Sequence, residues 1–210
     1  MRLTARDEEL LRKLVRCKWL TTSQIQRIFF SSASLDFVRK RLRKLGRAGY
    51  LRSYRENRMA EMLHGLGKPP KQIEHLVGVN DIRLAAEEGG VEFFYAHWEL
   101  PAFGWEYPVF PDAVYKSRGI LYVAEYDTGT ETFAQLEAKF RQYACFDFDH
   151  VLLLYAETEK RLQKLKALAA ETGDVVAIPM SEIRRHQNSV SQAVNLEKSL
   201  EQTAQRSPWS

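Results

Sequence analysis

Three carboxylates lie close together in the sequence between Pro108 and Tyr143, namely Asp112, Glu125 and Asp127. Acidic side chains gathered at the end of a buried strand repel one another unless a metal ion or a shared proton compensates their charge. Carboxylate oxygens are also the ligands that Mg²⁺ prefers. The pattern is therefore compatible with a metal site. The alternative is structural, with Asp112 at the start of a strand and Asp127 in a turn that leads into a helix.

A β-hairpin must position these acids. Residues 109–115 and 120–127 are rich in Val, Ile, Tyr and Phe, and residues 116–119 between them have turn chemistry. The other side chains on both faces of the hairpin are mostly apolar, so the hairpin is expected in the middle of a layered α/β domain.

The pairing register of the hairpin decides whether the acids meet. An even-numbered loop places Asp112 opposite Val123 and Phe110 opposite Glu125. Asp112 and Glu125 are then diagonal neighbours roughly 7–8 Å apart, within reach of one hard cation, and Asp127 lies on the same face. An odd-numbered loop would turn one strand over and separate them.

The composition predicts a soluble globular protein of the cytoplasm. The chain has 210 residues, of which 45% are hydrophobic, enough for one domain of usual size and a smaller one. It shows no apolar run long enough to span a membrane and no signal peptide at Met1. Cys17 and Cys145 are isolated within apolar patterns, which favours a reducing compartment over a disulfide or a zinc site.

The charge is unevenly distributed along the chain. Residues 1–58 contain 16 Lys or Arg and 5 Asp or Glu, whereas residues 59–210 contain 15 and 22. A basic amino-terminal segment attracts a phosphate backbone, and the acidic remainder is a poor general surface for nucleic acid. The two parts are therefore expected to have different partners.

The amino-terminal segment has the pattern of three helices followed by a hairpin. N-caps precede apolar residues at helical spacing at Thr4, at Thr21 or Thr22, and in residues 31–34. The third helix is basic outside its apolar stripe. Strands are predicted at residues 50–54 and 59–64, with a turn at 55–58.

This order of elements resembles a winged helix-turn-helix over residues 4–64. In that fold the third helix enters the major groove and the hairpin, called the wing, meets phosphates. The residues expected to contact DNA are Ser32, Ser34, Arg39, Lys40, Arg43, Lys44, Arg47, Arg52, Arg55 and Arg58. The alternative is that the basic run is only a solvated helix face.

The following segment resembles the restriction-endonuclease-like PD-(D/E)XK superfamily. Its predicted elements run helix, three strands, helix and strand, with a further helix and strand appended. Pro111-Asp112 and Glu125-Tyr126-Asp127 stand where that superfamily has Pro-Asp and then an acid, any residue and Lys. Asp127 replaces the usual lysine, and this departure puts catalysis in question.

The resemblance implies four catalytic residues, Asp112, Glu125, Asp127 and Lys139. The three acids would hold Mg²⁺ or Mn²⁺. Lys139 would be a displaced lysine that orients or activates the attacking water. It lies on a helix predicted from Thr130 to Tyr143, on the same face as Glu131 and Gln135.

Over residues 3–180 the chain also resembles the replication-relaxation family of plasmid-associated bacterial proteins. The phrases that carry the resemblance are Leu3-Thr4 with Arg6-Asp7, Gly49-Tyr50-Leu51, His75-Leu76 with Val79-Asn80-Asp81, Pro111-Asp112-Ala113, and Glu125 to Glu131 with Lys139 and Tyr143. The family implies a role in plasmid replication, mobilisation or nicking, without specifying a mechanism.

The predicted fold class is α/β (α+β), an amino-terminal winged helix-turn-helix followed by a restriction-endonuclease-like mixed-sheet domain. Residues 1–66 form the DNA-binding domain, 67–186 the nuclease-like domain, and 187–210 a polar tail that is a frayed helix or disordered. The expected partner is double-stranded DNA, bound by a monomer or a homodimer. Two functions remain open, a metal-dependent nickase and a DNA-binding regulator with a degenerate nuclease fold.

Overall fold

The computed structural model describes residues 2–186 and divides them into two compact units. The first unit ends at Asn80 and the second begins at Asp81, so the division falls within one helix. The predicted tail, 187–210, lies outside the described residues. None of the helices in the described part of the chain is long and apolar enough to cross a membrane.

The first unit contains the three helices and the hairpin predicted from the sequence. Its elements are α1 (Ala5–Cys17), β1 (Trp19–Thr21), α2 (Thr22–Phe29), α3 (Leu35–Arg47), β2 (Arg52–Tyr54), β3 (Leu63–Gly65) and the first part of α4 (Ile73–Glu88). The strand order is β1-β3-β2, with both pairings antiparallel. Strand β1 was not predicted from the sequence, because a three-residue strand between two helices has no measurable periodicity.

The predicted returning strand at 59–64 is wrong in its first four residues, since β3 begins only at Leu63. The cause is Asn57, whose side-chain oxygen accepts hydrogen bonds from the backbone N–H groups of Met59 and Ala60, both at 2.9 Å. An Asn side chain that bonds the following backbone in this way stabilises a turn. The segment between β2 and β3 is therefore an exposed loop.

Helices α1 and α2 begin where their side chains can satisfy the free N–H groups of the first turn. Thr4 and Asp7 form a reciprocal capping box at α1, and Thr21 and Gln24 form another at α2. Ser34 caps α3 by accepting a hydrogen bond from the N–H of Phe37. The predicted N-caps are thus confirmed, with Thr21 rather than Thr22 at α2.

The core of the first unit orients α3. Val38, Leu42 and Leu45 are fully buried against the apolar faces of α1 and α2. Arg41 lies beside this stripe and forms an ion pair with Asp7 of the α1 capping box. The hydrogen bond from Arg41 is the main reason that the pKa of Asp7 falls to about 2. The remaining charged side chains of α3 point to solvent.

The small sheet of the first unit is built around Trp19 and Gly65. Trp19 is opposite Gly65 in the β1–β3 register and donates a hydrogen bond from Nε1 to the Lys68 carbonyl at 3.0 Å. A Cβ placed on Gly65 would lie 2.3 Å from the Trp19 ring and 2.5 Å from the Lys18 carbonyl oxygen. Only glycine fits at this position.

The second unit is built on a five-stranded mixed sheet, as predicted. Its elements after α4 are β4 (Phe93–Ala96), α5 (Leu100–Phe103), β5 (Ala113–Ser117), β6 (Ile120–Asp127), α6 (Phe133–Tyr143), β7 (Val151–Ala156), α7 (Glu159–Leu168), β8 (Asp174–Pro179) and α8 (Met180–His186). The strand order is β4-β5-β6-β7-β8. Strands β4, β5 and β6 are antiparallel, and β6, β7 and β8 are parallel.

Helices α6 and α7 cover one face of this sheet. Leu136, Phe140 and Leu162 from the helices pack with Val123 and Leu154 from β6 and β7 in one core. Strand β6 is the central strand and is buried along most of its length. Any polar side chain that β6 directs toward α6 and α7 must therefore find a partner there.

Gly65→Ala is expected to unfold the first unit at lower denaturant concentration than wild type, because the added methyl group overlaps Trp19 and the Lys18 carbonyl. Overpacking of this kind costs about 1–3 kcal/mol. Gly46→Ala in α3 is the matched control, since its Cβ would meet only Leu51 atoms at 3.6 Å or more. Chemical denaturation measures both; equal midpoints for the two variants would contradict the packing argument.

Candidate functional site

The hairpin that carries the acids differs in register from the prediction. Its loop is Arg118-Gly119, with φ values of 51° and 81°, as a two-residue type I′ turn requires. Val114 therefore pairs with Val123, and continuing the register places Asp112 opposite Glu125 rather than opposite Val123. The loop is even-numbered, but the diagonal relation expected between the two acids for such a loop is wrong.

The first strand of the hairpin is shorter than predicted. β5 begins at Ala113, and residues 109–112 are outside it. Pro111 has no N–H group to donate to a strand ladder, so regular pairing begins only after it. Phe110 consequently does not face Glu125; it is exposed instead.

Asp112 is held at the end of the hairpin by backbone contacts. Its Oδ2 accepts a hydrogen bond from the N–H of Tyr126 at 2.8 Å, and its carbonyl oxygen accepts one from the N–H of His97 at 2.9 Å. The side chain is buried, with 8% exposure for the residue. Asp112 and Glu125 are close enough for the charge of Asp112 to raise the pKa of Glu125.

Glu125 lies on β6 and binds two side chains of α6. Lys139 Nζ is 2.6 Å from Glu125 Oε2, and the Tyr143 hydroxyl donates to Oε1. Lys139 and Tyr143 are four residues apart and therefore lie on the same face of the helix. The contact of Tyr143 with Glu125 was not predicted from the sequence, although the spacing of Tyr143 from Lys139 was the available signal.

Burial shifts the pKa of the Glu125 carboxyl from its usual value. Burial raises its pKa to about 7, against the opposing effect of Lys139 and with a further increase from Asp112. Burial alone would lower the pKa of Lys139, but Glu125 and Asp112 raise it overall. Lys139 thus remains charged, while Glu125 can bind or release a proton near neutral pH.

Asp127 has a different set of partners from the other two acids. Its Oδ1 accepts a hydrogen bond from the N–H of Gly129 at 2.8 Å, and its Oδ2 forms an ion pair with Arg161 on α7. Arg161 also donates to the Glu131 carbonyl at 2.7 Å and lies over the Phe133 ring. These contacts match the alternative in which Asp127 organises a turn before the next helix.

The face of α6 is also different from the prediction. The helix begins at Phe133 with Thr132 as N-cap, because Thr132 and Gln135 form a capping box. Glu131 precedes the helix and does not share a helical face with Lys139 and Gln135, so that prediction is wrong.

The arrangement does not fit a divalent metal ion as it stands. Both carboxylate oxygens of Glu125 are engaged by Lys139 and Tyr143, and both of Asp127 by Arg161 and Gly129. Within residues 2–186, no three or more His, Cys, Asp or Glu side chains are grouped so that they could hold a metal. The cation beside Glu125 is Lys139, and metal coordination at Glu125 Oε2 would require it to move away.

A second candidate site is the outer face of α3 together with the loop between β2 and β3. All ten predicted DNA-contacting residues are exposed: Ser32, Ser34, Arg39, Lys40, Arg43, Lys44, Arg47, Arg52, Arg55 and Arg58. The five on α3 lie on the side opposite Val38, Leu42 and Leu45. Arg39 forms an exposed ion pair with Asp36 at 3.3 Å, and Ser34 is occupied as the helix cap.

Comparison with known families agrees with the resemblance stated from the sequence. Residues 66–148 match the replication-relaxation family. The matched segment covers 83 of the 210 residues, less than half of the chain. It contains Asp112, Glu125, Asp127, Lys139 and Tyr143, and it excludes α3 and Arg161. No curated protein matches the chain.

Several residues at both candidate sites were not predicted from the sequence. Arg161 was missed because it is far from Asp127 in sequence, although β6 and β7 are parallel and the helix after β7 begins near the end of β6. The basic face also carries exposed apolar side chains that were not predicted, notably Phe37 on α3 and Met59 in the loop, which are 53% and 95% exposed. The available signal was in the sequence itself, where these apolar residues stand among charged residues at positions that are otherwise polar.

Lys139→Ala is expected to destabilise the second unit in a pH-dependent way. The variant leaves a buried carboxyl without its cation, and removing one partner of such a pair costs about 3 kcal/mol. The pKa of Glu125 then rises further above its unfolded value, so the variant loses stability as the pH rises through that pKa. Denaturation at about pH 5.5 and about pH 8.5 should show the larger loss at the higher pH.

Two controls accompany this measurement. Arg141→Ala removes an exposed ion pair from the same helix and should cost less than about 1 kcal/mol at either pH. The double variant Glu125→Gln, Lys139→Ala should lose the pH dependence. A pH-independent loss in Lys139→Ala would show that Glu125 does not carry the effect.

Proposed function

We propose that the protein binds duplex DNA through its first unit and acts in the replication or mobilisation of a plasmid or another mobile element. The observation that carries this proposal is the exposed basic face of α3, with Arg39, Lys40, Arg43, Lys44 and Arg47 all directed to solvent. Such a role places the protein in the cytoplasm.

The cations of α3 differ in their structural roles, and this difference supports the proposal. Arg41 contributes to the fold through Asp7, whereas Arg43, Lys44 and Arg47 have no structural role among the interactions that hold α3 to the core. Five cations on one side of a helix repel one another unless an anion neutralises them. A phosphate backbone supplies such anions on both sides of a groove into which a helix fits.

The loop after β2 adds a second basic element. Arg52 on β2 and Arg55 and Arg58 in the loop are exposed, and the Asn57 hydrogen bonds order the loop between the two strands. A helix with a neighbouring basic hairpin supports the proposal of a winged helix-turn-helix, in which the helix would enter the major groove and the wing would contact the backbone. The replication-relaxation segment supports the assignment to DNA maintenance.

The double variant Arg43→Ala, Arg47→Ala is expected to bind duplex DNA more weakly and with a smaller salt dependence. Loss of two phosphate contacts should reduce the slope of log K against log salt by about 2. Fluorescence anisotropy in a salt series measures it. Lys160→Ala, Lys166→Ala on α7 removes the same charge from exposed positions of the second unit and should leave the slope unchanged. Equal slopes for both double variants would refute the assignment to α3.

A second candidate function, metal-dependent nicking of DNA, is favoured by one observation. Lys139 is 2.6 Å from Glu125, beside Asp112, so the Asp, Glu and Lys expected of a PD-(D/E)XK site are close together even though the lysine comes from a helix. In that function Asp112 and Glu125 would hold Mg²⁺ or Mn²⁺ once Lys139 had moved, and Asp127 would support them. The regulator alternative needs neither the ion nor the movement.

Nicking of supercoiled plasmid in Mg²⁺ or Mn²⁺ distinguishes these alternatives. If the second unit is catalytic, Asp112→Ala and Glu125→Ala abolish nicking while DNA affinity is retained, because α3 is unchanged. Glu137→Ala, an exposed acid on α6, is the matched control and should nick as wild type does. Wild-type protein that does not nick, together with an Asp112→Asn variant that is at least as stable, would establish the non-catalytic regulator, since removing one of two buried like charges relieves repulsion.

A further inference from the structure

Phe37 is an apolar residue on the basic face of α3. It is the third residue of the helix and is 53% exposed, next to the cap residue Ser34. Residues near the start of a recognition helix are those that reach base edges in helix-turn-helix proteins. About half of this large aromatic side chain is in contact with water in the free protein, so its ring is accessible to a bound partner.

The ring of Phe37 is fixed by the core. It packs edge to face on Phe30, with centroids 6.2 Å apart, and Phe30 is itself buried with the Arg6 guanidinium 5.3 Å from its ring centroid. Part of the Phe37 ring therefore packs against the fold, while about half of the side chain stays exposed. A ring held in this way loses little conformational freedom when it binds.

The surroundings of Phe37 indicate what covers it. Lys40 and Lys44 follow it at helical spacings of three and seven residues, and both are exposed. An apolar protein surface laid over Phe37 would have to desolvate these ammonium groups. The major groove instead places phosphates at its walls and base edges at its floor, so it can pair with the lysines and contact the ring at the same time.

We propose that Phe37 contacts the C5-methyl group of a thymine in the major groove and makes the protein prefer thymine at that position. The C5-methyl group of thymine is the apolar group that the major groove of unmodified DNA displays, and Phe is one of the side chains suited to it. The inference rests on the proposed binding of duplex DNA by α3.

The test removes only the methyl group. A duplex is selected from a randomised pool by the full-length wild-type protein, and each of its thymines is replaced in turn by deoxyuridine, which keeps all hydrogen-bonding groups. At one position the affinity should fall about fourfold, the effect of leaving one methyl-sized group unburied. Phe37→Ala should bind the thymine and deoxyuridine duplexes equally, and Phe37→Leu should still discriminate because it remains apolar.

Two control variants separate this inference from DNA binding in general. Lys44→Ala should bind all duplexes more weakly but keep the preference for thymine, because its contact is with phosphate. Val15→Ala changes an exposed apolar residue of α1 and should match wild type throughout.

The outcomes distinguish two kinds of failure. If wild type binds with the expected salt dependence but discriminates thymine from deoxyuridine nowhere, or if Phe37→Ala discriminates as wild type does, the inference is overturned and the proposed function stands. If Phe37→Ala instead changes the sedimentation coefficient and leaves discrimination intact, Phe37 belongs to a protein interface. If wild type binds no duplex, both proposals fail.

Discussion

Two carboxylates buried at the end of β6 require cations that the helices must bring to them, and the second unit is arranged around that requirement. Glu125 is neutralised by Lys139 of α6, and Asp127 by Arg161 of α7. A buried carboxylate without such a partner would cost several kcal/mol. The positions of α6 and α7 over β6 are therefore fixed by these ion pairs as well as by the apolar core. A metal ion could bind Glu125 only if Lys139 were displaced from it.

The first unit also contains an ion pair between a buried acid and a helix cation, but here the acid keeps a cation of a basic helix away from solvent. Asp7 binds Arg41 and so removes one cation of α3 from solvent, while it also caps α1. The other cations of α3 point to solvent because Val38, Leu42 and Leu45 occupy the buried face of the helix. One helix thus combines a structural arginine with exposed cations and the exposed Phe37, the residues to which we assign the proposed contacts with DNA.

The elements with strong local signals were predictable from the sequence. The caps at Thr4 and Ser34 and the strand at 120–127 follow from side-chain chemistry and periodicity, which act over a few residues. The register of the β5–β6 hairpin was not predictable, because residues 116–119 offer more than one two-residue turn and only the backbone angles distinguish them. Partners distant in sequence, such as Arg161 for Asp127, depend on the register of the parallel β6–β7 pair, which the strand–helix–strand pattern does not specify.

The sheet contains both antiparallel and parallel strand pairs, and this topology bears on the order in which Glu125 and Asp127 meet their cations during folding. Strands β5 and β6 are joined by a two-residue turn, whereas β6 reaches β7 only through the crossover that contains α6. Closing a long connection costs more chain entropy than closing a short one, so the hairpin can form first. Until the crossovers close, Glu125 and Asp127 sit at the end of an open strand where water solvates them. Glu125 gains its lysine with the first crossover, and Asp127 its arginine with the second.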